Sequence, residues 1–233
     1  FLTCSNYPCF NWCSYDYYMK NDDINLNPEI TQAIQAIHDF DSGRYKDKLK
    51  VAAVAVNSWD WSVCGWPTTN TLGHAIVTFD IIGQALTKPE LLYVLLWGTR
   101  WMDYDGKRIS EALDSRNGIM PSGRALGRWG QFLRDKMVMV NSTDSSLITY
   151  ASLDASQAEL NLFIINKRHE HQKISTDIKS IPAYTGCHVF TFTGKNAEDE
   201  SPCWTHHGDL ALQNNRLDTF CLPPISITVL SFS

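Results

Sequence analysis

The stretch Lys50-Val51-Ala52-Ala53-Val54-Ala55-Val56-Asn57-Ser58-Trp59-Asp60-Trp61 decides how the chain is read. Val51 to Val56 is apolar without alternation, the pattern of a strand covered on both faces, and strands so covered are those of parallel sheets. The polar and aromatic residues that follow mark the strand's C-terminal end, the side on which parallel α/β folds build their sites.

The neighbouring segments extend this reading. Upstream, Asn27-Pro28-Glu29 opens a helix: Asn27 suits the cap, Pro28 the first turn, and Ile30, Ile34, Ile37 and His38 repeat at helical spacing as far as Phe40. Residues 1–23 read as a short strand end followed by a loop. Downstream, a helix over Thr71–Leu86 carries the stripe Leu72, Ile76, Phe79, Ile82 and Leu86. A second apolar strand is predicted over Leu91–Trp97. A loop with Pro121-Ser122-Gly123 then leads to a third helix, Arg124 to Val138. Strands alternating with helices in this way imply parallel pairing through right-handed crossovers. From Ser145 onward the period changes. Leu147–Ala151, Leu160–Ile165, Cys187–Phe192 and Ile225–Leu230 are short strands between polar turns, which predicts an antiparallel β-sandwich. The expected fold class is α/β plus all-β, with residues 1–140 forming the first part and 141–233 the second.

Composition removes several function classes. The 233 residues are 44% hydrophobic and 12% aromatic with a net charge of −5, which excludes a disordered chain. Lys and Arg number 20 against 25 Asp and Glu, and no basic run exceeds Lys167-Arg168, so no nucleic-acid partner is expected. No apolar run approaches the roughly 18–20 residues needed for a membrane span. There is no GxSxG, no P-loop and no GxGxxG followed by an acidic residue, so no cofactor is expected.

The seven cysteines are Cys4, Cys9, Cys13, Cys64, Cys187, Cys203 and Cys221. None forms a CxxC pair and no His stands at zinc-finger spacing from them, so no metal site is expected and disulfides are, with the pairing open. The odd count leaves one thiol free or paired outside the chain. Asn141-Ser142-Thr143 is a glycosylation sequon, and with the cysteines it points to a secreted, extracellular protein. The start Phe1-Leu2-Thr3-Cys4 is that of a processed secreted protein or of a fragment.

Four segments resemble the C-terminal half of retaining glycoside hydrolases with a (β/α)8 barrel, the broad group that contains arabinofuranosidases, xylosidases and agarases. They are Lys50–Trp61, Leu72-Gly73-His74-Ala75 through Gly83, Val94–Trp101, and Met120-Pro121-Ser122-Gly123-Arg124-Ala125-Leu126-Gly127-Arg128-Trp129-Gly130-Gln131-Phe132. The tail is similar to their appended β-sandwich, on Tyr150-Ala151, Ile164-Ile165-Asn166-Lys167 and Leu222-Pro223-Pro224-Ile225-Ser226-Ile227-Thr228-Val229-Leu230. The resemblance implies that residues 1–140 hold strands six to eight of a TIM-type barrel. An upstream segment or second chain would complete it, since such a barrel takes about 250 residues.

Retaining glycosidases use two carboxylates about 5–5.5 Å apart. By the resemblance the acid/base glutamate precedes Phe1 and the nucleophile ends strand seven, where relatives place Glu, an aromatic and Asn. Here those positions are Ala55, Val56 and Asn57, and an alanine cannot attack an anomeric carbon. Asp60 is the candidate substitute, with a turn-forming role or a pair with Arg100 as the alternative. Trp59, Trp61, Trp66, Trp97 and Trp101, with Tyr7 and Trp12, are candidate carbohydrate-binding residues, because indole rings stack on the C–H faces of sugars. Trp97 and Trp101 read equally well as packing residues. Arg100 is a candidate donor to sugar hydroxyls. His169-Glu170-His171 reads as a solvated hairpin tip and His206-His207 as part of a loop. The expected function is saccharide or polysaccharide binding, or an extracellular structural role, with hydrolysis lost. An active glycosidase using Asp60 and an assembly subunit of a larger extracellular complex are the alternatives.

Overall fold

The computed structural model describes residues 1–8, 15–40, 48–56, 70–96, 99–100, 112–179 and 183–233. The chain runs β1 (Leu2–Asn6), α1 (Tyr15–Lys20), α2 (Pro28–Phe40), β2 (Val51–Val56), α3 (Leu72–Leu86), β3 (Leu91–Leu96) and α4 (Pro121–Phe132). The strands β4 (Lys136–Val138), β5 (Leu147–Leu153), β6 (Leu160–Asn166), β7 (Gln172–Asp177), β8 (Gly186–Thr193), β9 (Cys203–Ala211), β10 (Arg216–Leu222) and β11 (Ser226–Phe232) follow.

The apolar run read as a parallel strand is the middle of a three-stranded parallel sheet ordered β1-β2-β3. Its register sets Leu2 beside Val51 and Val51 beside Leu91, with bulges in both pairings. The other strands form a six-stranded sheet, β4-β5-β6-β11-β8-β9, and a two-stranded one, β10-β7. The pairings within both are antiparallel.

Period-2 alternation divides the six-stranded sheet between two cores. Tyr150, Phe163, Ile165, Phe192, Ile227 and Val229 face a cluster built with α1, α3 and α4. Ala151, Ile164, Val189, Leu230 and Phe232 face the other way, onto Leu217 and Leu222 of β10. The helix α3 lies at the centre, with Leu72 through Ile81 buried without a break, so the predicted stripe is in fact covered all round. Phe79 stacks on Trp129 of α4 with centroids 4.5 Å apart, and Trp129 meets Phe163 of β6 at 4.1 Å. Gly83 is required here. A Cβ on it would stand 2.3 Å from the ring of Tyr150.

One acid interrupts this apolar helix. Asp80 is wholly buried and accepts hydrogen bonds from Tyr18 of α1 (2.8 Å) and Tyr150 of β5. Burial raises its pKa, and the two tyrosine hydroxyls oppose that rise. Nearby, Lys167 turns inward: its ammonium donates to the carbonyls of Tyr18 (3.1 Å) and Asn21 (2.6 Å) and lies 3.1 Å from Asp22. Arg168 forms a fork on the same Asp22, both bonds at 2.9 Å. The residues just after β6 thus fasten α1 to the antiparallel sheet.

Three expectations are corrected. Tyr15–Lys20 is a helix, where a loop was expected, because Tyr15 and Tyr18 fill the space beside α3. The third helix begins at Pro121 and stops at Phe132, short of Val138: Leu133 is extended, Arg134 N–H turns to Ser152 Oγ (3.0 Å), and Lys136–Val138 pairs with β5. Residues 169–171 do not form a hairpin tip, because β6 and β7 belong to different sheets.

Candidate functional site

All three parallel strands point their C-terminal ends the same way, so Asn6, Val56 and Leu96 stand at one end of the sheet. The residues proposed for sugar binding follow these strand ends in sequence. Trp12, Trp59, Asp60, Trp61, Trp66, Trp97 and Trp101 lie outside the described residues, as do Cys9, Cys13 and Cys64.

What is described forms the frame of that side. Asn6 closes β1, wholly buried; its Nδ2 donates to Leu26 O (3.0 Å), while its Oδ1 has no partner among the described residues. Tyr7 follows, half-buried, with burial raising its phenol pKa. Ala55 is buried on β2 opposite Ser5, and Val56 pairs with Asn6 on one side and Leu96 on the other. The helices that follow β2 and β3 are joined at their starts. Asn70 Nδ2 donates to Ser122 Oγ (2.8 Å), and Ser122 N–H returns to Asn70 Oδ1 (2.9 Å). Thr71 caps α3 by accepting from His74 N–H.

The antiparallel sheet contributes to this frame. Leu72 and Gly73 N–H at the start of α3 donate to Asp199 O and Ala197 O in the β8–β9 connection, both at 2.8 Å, which satisfies helix donors that have no partner within the helix. His74, in the first turn of α3, is completely buried, and desolvation lowers its pKa to about 3, so its imidazole is neutral at ordinary pH.

Arg100 is exposed and donates to Ser115 O (2.7 Å), while its backbone bridges to Leu113. The side chain thus fastens the loop before α4. Asn141 is exposed between β4 and β5, so its sequon is accessible. The expected disulfides are not seen among the described cysteines. Cys4, Cys187, Cys203 and Cys221 are free thiols on β1, β8, β9 and β10. Cys187 points into the core beneath β10, where burial pushes its pKa up to about 12, whereas Cys203 and Cys221 are exposed. His206 and His207 belong to β9, where a loop was expected. The residues that the sequence reading passed over at this side are Asn6, Asn70 and Ser122. Their signal was position, small polar residues at a strand end or helix start.

No protein-family model and no curated protein matches this chain in sequence. Solved structures do. An α-L-arabinofuranosidase of glycoside hydrolase family 51 from Thermotoga petrophila is similar over 88% of the chain and 47% of its own, with TM-score 0.69 at 13% identity. A family 44 xyloglucanase from Paenibacillus polymyxa is similar over 89% and 36%, with TM-score 0.64 at 16% identity. A family 30 endoxylanase from Clostridium papyrosolvens covers 79% and 42%, with TM-score 0.56 at 13% identity. The fold is glycoside-hydrolase-like. The chain spans about a third to a half of the length of these enzymes, and the likeness is one of fold.

Proposed function

We propose that this chain is the C-terminal portion of a secreted (β/α)8-barrel glycoside-hydrolase-like protein, carrying barrel strands six to eight in residues 1–140 and the appended β-sandwich in 141–233. It binds a saccharide on the side where the parallel strands end, and covalent hydrolysis is lost because Ala55 stands at the nucleophile position. The observation that carries this reading is the parallel sheet itself. It has three strands where a barrel has eight, its outer strands have no partner on their far edges among the described residues, and Leu92, Tyr93 and Leu95 of β3 are exposed. Strands left so open call for partners, supplied by an upstream segment or a second chain.

The likeness to an arabinofuranosidase, a xyloglucanase and a xylanase supports plant-cell-wall polysaccharides as the saccharide class. The exposed Asn141 sequon supports secretion. The test is glycan-array binding of the protein with Trp59→Ala and Trp101→Ala beside it, and hydrolysis assays on xyloglucan, xylan and arabinan. Binding that both variants lose, without turnover, is the expected result. Turnover abolished by Asp60→Asn would establish the active-glycosidase alternative instead.

A further inference from the structure

The pairing of β8 with β9 is irregular at one point. His188 stands opposite Asp209 and Phe190 opposite His206, so Val189 faces two residues, His207 and Gly208. This is a β-bulge, and Gly208 has φ +85°, which a residue with a side chain rarely adopts. The bulge has a chemical result. Residues three apart on a regular strand point to opposite faces, but the extra residue turns Asp209 onto the face of His206. His188, two residues before Phe190, shares that face. His206 stacks on Phe190 at 4.5 Å and 15°, which fixes its ring plane, and the His188 and His206 rings lie 6.1 Å apart.

We propose that His188, His206 and Asp209 form a binding site for a divalent transition-metal ion of the zinc class. The donor atoms of the three side chains all lie within 4.8 Å of one another. Asp209 Oδ1 already bonds to His188 Nδ1 and stands 3.9 Å from His206 Nε2. Tetrahedral zinc, with bonds of about 2.0–2.1 Å, sets its donors about 3.4 Å apart. The side chains are 46%, 49% and 67% exposed, so small rotamer changes close the difference. Two imidazoles and one carboxylate favour Zn²⁺, Ni²⁺ or Cu²⁺ over the harder Mg²⁺ and Ca²⁺, and leave a fourth position for water. A neighbouring cation, Arg128, is engaged by the adjoining rings, its guanidinium 5.3 Å from the Phe190 ring and 4.8 Å from that of Trp204. Since β9 is the outer strand of its sheet, the bound ion would pin that edge to β8. The inference does not depend on the saccharide reading.

Calorimetric titration of the whole chain with ZnCl₂ tests the proposal, in a Cys203→Ser/Cys221→Ser background that removes the exposed thiols among the described residues, including Cys221, which lies 3.6 Å from His171. One Zn²⁺ per chain is expected, with Mg²⁺ silent. Affinity should fall about tenfold or more in each of His188→Ala, His206→Ala and Asp209→Asn. Gly208→Val keeps all three donors but opposes the bulge, and should give a comparable loss. Nickel should broaden the ring resonances of His188 and His206 ahead of those of His169 and His171. Zinc binding that vanishes with the thiols, or survives His206→Ala and His188→Ala undiminished, would overturn the site, as would no binding at all.

Discussion

The parallel sheet and the six-stranded antiparallel sheet present opposite solutions to burial. The centre of the antiparallel sheet is covered on both faces, by α3 and α4 on one and by β7 and β10 on the other, and β11 there is buried along its whole length. The parallel sheet packs on α2 and the central cluster, yet exposes Leu2, Val54, Leu92, Tyr93 and Leu95. Parallel strands ordinarily occur covered on both faces. The difference teaches that the continuous core is the one shared by α3 and the antiparallel sheet, while the parallel sheet leaves apolar side chains uncovered.

That contrast can be broken at several points. The largest effect is expected at the shared core: Trp129→Ala removes a ring stacked on Phe79 and packed at a tilt on Phe163, together with the bond from Nε1 to Phe79 O, and should cost about 4 kcal/mol in a denaturant titration. A loss below 1 kcal/mol would show that α3 and the antiparallel sheet do not share a core. Next is His74. Its folded pKa is depressed to about 3 from an unfolded value near 6.5, so the unfolded chain binds the extra proton, and the stability from this group is complete above pH 6.5 and lost as pH falls toward 3. Between pH 6.5 and 4 this amounts to about 3 kcal/mol, and His74→Gln should flatten that part of the stability profile. Gly83→Ala should cost about 2 kcal/mol, because the Tyr150 ring must move off α3 and its bond to Asp80 is strained. The smallest effect is expected on the open face, where Leu95→Ser should change stability by less than about 0.5 kcal/mol. A cost of about 2 kcal/mol there would mean that the face is covered in the protein.

The parts legible in sequence were those with a nearly unbroken apolar run or a regular apolar stripe. Val51–Val56, Leu91–Leu96 and the helix from Leu72 announced themselves in this way, although β3 leaves Leu92, Tyr93 and Leu95 exposed. The strands β7, β9 and β10 did not, since they lie at sheet margins and alternate with exposed Lys173, His206 and Asp218. Helix α4 was placed late because Pro121 reads as a loop residue until its place at the first turn is known. The roles of Asp80 and Lys167 depend on partners 62 and 149 residues away, beyond any local pattern. Asp80 alone left a trace, as a single acid in an apolar helix. The grouping of His206 with Asp209 was hidden by their spacing, which places them on opposite faces unless a bulge intervenes, and Gly208 was the one sign of it.

The registers of the two sheets also set an order in time. Leu153 pairs with Leu160 across a tight turn in which Asp154 accepts from the N–H groups of Ser156 and Glu159, so β5 and β6 close a loop of a few residues. The parallel pair must instead bring Leu2 to Val51 across α1 and α2. Closing the longer loop costs more chain entropy before any contact repays it. The β5–β6 hairpin is therefore the natural nucleus, with the parallel strands settling afterwards on a helix already docked. Pulse-labelled hydrogen exchange should show amide protection arriving at residues 147–166 before it reaches residues 51–56.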